Sequence, residues 1–318
     1  MTKKLATAYH NLSIMLEAGI QLQQALNTAA SGLKGKLQKT FSTVAKDVSA
    51  GNGLAETMSK HPNIFAPLDV MLVDATDTSG NLPEAMRLLS QWYDFRTRLK
   101  NRLFSGLMLP LAVLHIAAFV GPLPFLFLGE INEAGYIIQL AKILALFYIP
   151  TILILTILYV MPTMGILRRF MDALVLKIPV LGKALWKIAI CRYCWAFYML
   201  YKAGIPITQS AQQAIDVTGN VIVADELKGG AESARAGNMV CEGFSPELPA
   251  DFLNLWRIGE ETGELDSCVK HLVDNTSEDA ERLFGEFAQW LPRLIYFLIS
   301  VMLVILILRA AAAVFSAF

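Results

Sequence analysis

The sequence is poor in charge. Only 17% of its 318 residues are Asp, Glu, Lys or Arg, while 55% are hydrophobic. A soluble domain carries about 25% charged residues, so the deficit excludes an ordinary water-soluble protein. An excess of either sign is missing too: Lys plus Arg and Asp plus Glu number 27 each. That removes the basic surplus of a nucleic-acid binder and the acidic surplus of a disordered tail. Cysteine is confined to Cys191, Cys194, Cys241 and Cys268. Cys191 and Cys194 have redox or zinc spacing, but no second pair accompanies them, and His10, His61, His115 and His271 are scattered. Three residues apart on an amphipathic helix, the pair reads first as core, with a metal or redox role as the alternative.

Several motifs are missing as well. Gly35-Lys36 is followed by Leu37, and Gly182-Lys183 by Ala184. Neither offers the Ser or Thr that a phosphate-binding loop needs for magnesium. There is no G-x-S-x-G or H-E-x-x-H. Lys3-Lys4 leads into Ala, Thr, Tyr, His and Asn instead of an apolar run, so no signal peptide is read. No cofactor and no catalytic centre are expected.

What is abundant is uninterrupted apolar sequence. Leu103–Leu128 and Ile143–Leu167 contain no charged residue. At about 1.5 Å per residue, each can cross a hydrocarbon core about 30 Å thick. The connector Gly129-Glu130-Ile131-Asn132-Glu133 makes them a helical hairpin. A third apolar segment, Leu294–Leu308, continues past Arg309. Its charge-free core is about 22 Å long by helical rise, and Trp290 to Arg293 and Arg309 extend it by snorkelling. A buried core helix is the alternative for this segment. Arg96, Arg98, Lys100 and Arg102 precede the first span, and Arg168, Arg169, Lys177, Lys183 and Lys187 follow the second, whereas the connector holds two glutamates and no cation. The positive-inside bias places both polar segments in the cytoplasm and the connector and C-terminus outside. Disulfides are not expected in that reducing compartment.

The two polar segments resemble each other. Leu16-Glu-Ala-Gly19-Ile-Gln-Leu matches Leu200-Tyr-Lys-Ala-Gly204-Ile-Pro-Ile, and Ala50-Gly-Asn52 matches Ala236-Gly-Asn238. Asp77-Thr-Ser-Gly80-Asn-Leu82 matches Glu260-Glu-Thr-Gly263-Glu-Leu265, and Pro110 matches Pro292. The offsets are 204 − 19 = 185, 238 − 52 = 186, 263 − 80 = 183 and 292 − 110 = 182. The repeating unit is a helical domain followed by one span, and the second span returns the chain to the starting side. Leu5, Tyr9, Leu12, Met15 and Leu16 form one helical stripe, closed by Gly19 at a left-handed cap. Leu37, Phe41, Val44 and Val48 form another, ended by Gly51-Asn-Gly53, and Pro83-Glu84 open a helix toward Arg102. In the second copy Gly204, Pro206, Gly237 and Gly263 punctuate in the same order. The plan is an all-α membrane protein with two tandem repeated cytoplasmic helical-bundle domains and three transmembrane helices. Its segments are a domain over 1–102, spans over 103–128 and 137–167 with connector 129–136, a second domain over 168–290, and a third span with the C-terminus over 291–318.

With these features the chain resembles the F-type inner-membrane platform proteins of type II secretion and type IV pilus systems, over nearly its whole length. The motifs are the paired Ala-Gly-Ile-x-(Leu/Ile) segments at Gly19 and Gly204, and Gly-Glu-x-(Ser/Thr)-Gly-x-Leu, intact as Gly259-Glu260-Glu261-Thr262-Gly263-Glu264-Leu265. The first copy departs from the second motif, with Thr76 for its first Gly and Asp77 for its Glu. The resemblance implies a bacterial inner-membrane scaffold that couples a cytoplasmic hexameric assembly ATPase to pilin or pseudopilin polymerisation. It also implies contact with other inner-membrane assembly components, a homo-oligomeric state and no nucleic acid.

The acids Glu260, Glu261, Glu264 and Asp266 read first as solvated helix-end residues; contact with a basic partner surface or a hard cation are the alternatives. His115, within the first span, is read as an interhelical hydrogen-bonding residue, and Lys142, beside the second, as a snorkelling one. A small transporter or channel subunit remains an alternative function, as does a membrane-anchored enzyme such as an aspartyl prepilin peptidase. The first is disfavoured by the near-absence of charge in the spans, the second by the position of Asp74 and Asp77 outside them.

Overall fold

The computed structural model describes residues 1–127, 129, 131–160, 166–178 and 181–316, and among them there are helices and no strands. The first repeat unit comprises α1 (Thr2–Glu17), α2 (Leu22–Ser31), α3 (Lys36–Ser49), α4 (Leu54–Ser59), α5 (Pro67–Ser79) and α6 (Leu82–Val120). Then come α7 (Leu123–Phe127), α8 (Glu133–Val160) and α9 (Ile166–Leu176). The second unit is α10 (Leu181–Lys202), α11 (Ile207–Thr218), α12 (Val221–Arg235), a 3-10 turn at Val240–Gly243, α13 (Ala250–Thr262) and α14 (Leu265–Ser316). The two series run in the same order, with the 3-10 turn in the place of α4.

The chain divides into two compact units. One contains Met1–Leu99 and Arg169–Arg282, and the other Lys100–Arg168 and Leu283–Phe318. The first unit therefore holds both helical domains.

The repeated Gly19 and Gly204 stop their helices in the same way. Gly19 and Gly204 have φ of 78° and 88°. Gly19 N–H donates to Leu16 O and Ile20 N–H to Met15 O, at 3.0 and 2.9 Å. Gly204 N–H donates to Tyr201 O and Ile205 N–H to Leu200 O, at 3.0 and 3.1 Å. This is a Schellman cap, in which a glycine takes the left-handed conformation and the next amide reaches back to an orphan carbonyl. Gly80 and Gly263 close α5 and α13 with φ of 73° and 75°.

The stripes read from sequence are core. Leu5, Tyr9, Leu12, Leu37, Phe41 and Val44 are buried, while Met15, Leu16 and Val48 are half-buried. The second domain is closed by an aromatic cluster. Trp256 lies 4.6 Å from Phe197, 5.1 Å from Phe244, 5.5 Å from Phe252 and 5.9 Å from Tyr193, centroid to centroid. Such pairs contribute about 0.5–1.5 kcal/mol each beyond the area they bury.

In the compact unit of Lys100–Arg168 and Leu283–Phe318, Leu114, Ala117 and Ile299 are buried, with Val113, Leu144, Phe147, Ile295, Met302 and Leu303 packed against them. Among the described residues three helical stretches are long and apolar enough to cross a membrane, at Met108–Phe127, Glu133–Leu153 and within Leu265–Ile305. The stretch read as one span from Leu103 is interrupted. α6 ends at Val120, Gly121-Pro122 form a turn, and α7 resumes at Leu123. Pro122 has no amide hydrogen and its ring opposes the preceding turn, which ends the helix there. Leu128, Glu130 and residues 161–165 of the expected spans and connector lie outside the described residues. Pro110 and Pro292 both sit inside long helices, α6 and α14.

Candidate functional site

The repeated motifs meet at one end of the second domain. The Gly204 turn closes α10, and the Gly263 turn joins α13 to α14. Lys202 Nζ lies 3.6 Å from Asp266 Oδ2, across the gap between the two turns. A groove of about 490 Å³ is lined there by Tyr201, Lys202, Gly204, Ile205, Pro206 and Asp266. The corresponding end of the first domain carries Glu84 and Arg87, where Arg87 Nε donates to Glu84 Oε2 at 2.7 Å.

Within Gly259–Leu265 each motif residue has a local task. Gly259 is buried, and a Cβ there would come within 2.9 Å of Cys268 Cβ and 3.1 Å of Leu265 Cα, so α13 and α14 touch through it. Leu265 is buried at the start of α14. Glu260 grips the 3-10 turn: the amides of Val240 and Cys241 donate to its Oε1 and Oε2 at 2.6 and 2.9 Å. A carboxylate that satisfies two first-turn amides stabilises a helix start both by charge-assisted hydrogen bonds and by the end dipole. This differs from the sequence reading of Glu260 as a solvated acid, because the two amides engage both its oxygens within the domain. Glu261 and Glu264 are exposed. In the first copy Thr76 replaces the buried glycine and turns its hydroxyl onto Leu72 O at 2.8 Å, while Asp77 is exposed.

The two domains pack through α6, α10 and α14. Trp195 of α10 lies 6.1 Å from Trp92 and 6.5 Å from Phe95 of α6. Its Nε1 donates to Ser277 Oγ of α14 at 3.0 Å. Arg98 Nε donates to Glu281 Oε1 at 2.8 Å. These two residues are equivalent under the repeat, since 281 − 98 = 183 is the offset of Gly80 and Gly263. Arg98 and Glu281 thus meet as equivalent positions of the two copies, as residues on a two-fold axis do, but with opposite charges.

A family model for type II secretion system (T2SS) protein F matches the chain twice, over residues 8–129 and 193–316. The chain belongs to the type II secretion system protein F family. It is 22% identical to the type IV pilus assembly protein PilC of Pseudomonas aeruginosa, over 87% of this chain and 80% of that one. It is 27% identical to PilC of Thermus thermophilus, over 86% and 72%, and 21% identical to type II secretion system protein F of Vibrio cholerae, over 88% and 74%. The two matched stretches start 193 − 8 = 185 residues apart, the offset of the Gly19 and Gly204 caps.

The two family repeats differ in a buried polar cluster that sequence reading missed. Asp69 of α5 is fully buried. Its Oδ2 accepts from Tyr93 OH at 2.7 Å, Tyr9 OH at 3.2 Å and the Ala66 amide at 3.2 Å. Its Oδ1 has no partner among the described residues. Burial pushes the carboxyl up to about 6; the hydrogen bonds from Tyr93, Ala66 and Tyr9 and the charge of Arg96 act in the opposite direction. In the second copy the equivalent positions hold Phe252, Thr276 and Cys194. The available signal was an acid three residues into a helix opened by Pro67, a capping-box position; its burial was not visible.

Cys191 and Cys194 face the core as free thiols, and Cys191 Sγ lies 3.3 Å from Ser277 Oγ. Among the described residues no group of His, Cys, Asp and Glu has metal-binding geometry. His115 Nδ1 lies 2.7 Å from Leu111 O, one turn back, and its Nε2 faces Tyr148 OH of α8 at 3.4 Å. Lys142 is exposed, and the side chain of Arg309 lies outside the described residues.

Glu260→Gln should destabilise the protein by about 1–3 kcal/mol, because one amide loses its acceptor. Glu261→Gln and Glu264→Gln should stay within about 0.5 kcal/mol of the parent. Chemical unfolding in detergent checks the contrast, and equal stability of all three variants contradicts the structural role of Glu260. For Asp69 the folded-state value near 6 exceeds the ordinary 3.8. Its contribution is therefore complete at acid pH, where the carboxyl is neutral in both states, and is lost as pH rises through about 4 to 6. At about 1.4 kcal/mol per unit this amounts to roughly 3 kcal/mol. Asp69→Asn should remove that part of the pH dependence in melting curves taken between pH 4 and 7.

Proposed function

We propose that this chain is an inner-membrane platform protein of a type IV pilus or type II secretion machine. The observation that carries this reading is the family match to both copies of the repeat, each joined in sequence to an apolar helix long enough to cross a membrane. In this reading both helical domains lie in the cytoplasm, as the basic residues flanking the first two spans favour. The domains bind a hexameric assembly ATPase, and the membrane helices handle pilin or pseudopilin subunits alongside other inner-membrane components and further copies of the chain. The protein hydrolyses no ATP, in keeping with the missing phosphate-binding loop. α6 and α14 run without a break from domain sequence into apolar sequence. The exposed Glu261 and Glu264 are the proposed contact acids, together with the edge of the domain that Glu260 holds in place.

Two experiments test this reading. A reporter active only outside the membrane should be active when fused after Glu133 and silent when fused near Gly219; the reverse pattern would overturn the orientation. The intact protein in detergent should pull down the cognate ATPase or change its rate while showing no turnover alone. Absence of both effects would sink the platform mechanism. If binding survives Glu261→Gln combined with Glu264→Gln, only the contact assignment fails. Glu260→Gln belongs in a separate arm because it alters the fold of the same edge.

A further inference from the structure

α9 and the turn after it carry apolar side chains that none of the described residues covers. Phe170, Leu174 and Ile178 are 63%, 51% and 42% exposed. Phe170 and Leu174, four residues apart, share one face of α9, and Ile178 follows in the turn just past its end. The exposure is not a consequence of a loose helix, because the opposite side is pinned at two places. Asp172 is buried and accepts the Val221 amide at the start of α12 at 2.9 Å. At the far end, a Cβ on Gly182 would lie 1.9 Å from Leu176 O, so the end of α9 and the start of α10 meet backbone to backbone. These contacts fix the rotation of α9 and hold the stripe outward.

Cations flank the stripe. Arg168 and Arg169 lie at its start and Lys177 at its end. Arg169 bridges Asp225 at 3.1 Å, yet its side chain remains 65% exposed. In sequence, α9 begins six residues after α8 ends. An apolar face rimmed by cations, just after a membrane helix, has the composition of a helix lying in the bilayer interface, with its apolar side at the headgroup–acyl boundary.

We infer that α9 and the turn after it form an interfacial anchor that lays Phe170, Leu174 and Ile178 into the surface of an anionic bilayer, with Arg169 and Lys177 toward the headgroups. This rests on the membrane reading above and adds a lipid-binding surface to the second helical domain. The anchor sets the height and tilt of α10 through the Gly182 contact, and so of the domain that α10 runs through.

The test uses the full chain in vesicles of phosphatidylcholine with phosphatidylglycerol. Flotation with the vesicles checks insertion separately from the anchor. Leu174→Cys, in a Cys268→Ser background that keeps only the buried native thiols, is labelled with an environment-sensitive fluorophore; Thr28→Cys, exposed on α2, is the control. A quencher attached high on the acyl chains should quench the label at 174 about threefold more than the control, and the excess should fall when phosphatidylglycerol is omitted. On the unmodified protein, a lipid-borne photoreactive probe should label the peptide that contains Phe170 and Leu174. A protein that floats but shows neither excess quenching nor photolabelling overturns the anchor while leaving the membrane reading intact. A label that is shielded from water yet not quenched by lipid means that a protein surface, such as a second copy, covers the stripe, and overturns the lipid assignment. Quenching that does not depend on phosphatidylglycerol overturns the role of the cations.

Discussion

A hydrocarbon layer offers no partner to a backbone amide, and an apolar segment inside it must satisfy its own hydrogen bonds. Much of this architecture follows. The apolar stretches form long helices, α6, α8 and α14, and the two that follow the repeated domains are continuous with domain helices instead of being joined by loops. Prolines are tolerated inside these helices at Pro110, Pro150 and Pro292. At Gly121-Pro122 the helix ends, and the chain turns toward the connector.

Duplication places the two domains where equivalent surfaces meet. In a symmetric dimer of one copy, a residue near the axis meets its own twin, and an arginine there meets an arginine. In a duplicated chain the copies can diverge, and Arg98 faces Glu281. The pair is partly solvated, so its net contribution is on the order of 0–1 kcal/mol. Its value lies in selecting register, since a one-turn slip of α6 on α14 would break it and separate Trp195 from Trp92. Divergence also reached the cores: the first domain closes over a carboxylic acid and two tyrosines, the second over a cluster of aromatic rings around Trp256.

The family motifs are mainly instructions for ending one helix and starting the next. Gly204 and Ile205 form a cap, Gly259 lets two helices touch, Glu260 holds a third segment by two amides, and Gly263 reverses the chain. These residues maintain the shape of the domain edge, and Glu261 and Glu264 are exposed beside them.

The helical class, the apolar segments, the repeat and its capping glycines were all legible in the sequence. Each depends on local rules: periodicity, segment length, and the conformational freedom of glycine at Gly19, Gly80, Gly204 and Gly263. The sequence also marked Glu260 as unusual, but not what it holds, because Val240 and Cys241 lie 20 and 19 residues away in the chain. Nothing local to Asp69 marks its burial, which comes from Tyr9 and Tyr93 closing over it from two other helices. The exposed face of α9 depended on Asp172 and Gly182 fixing its rotation. Apart from the nearby Gly182, the deciding partners come from other elements of the chain, and only tertiary packing sets which groups lose water and which keep it.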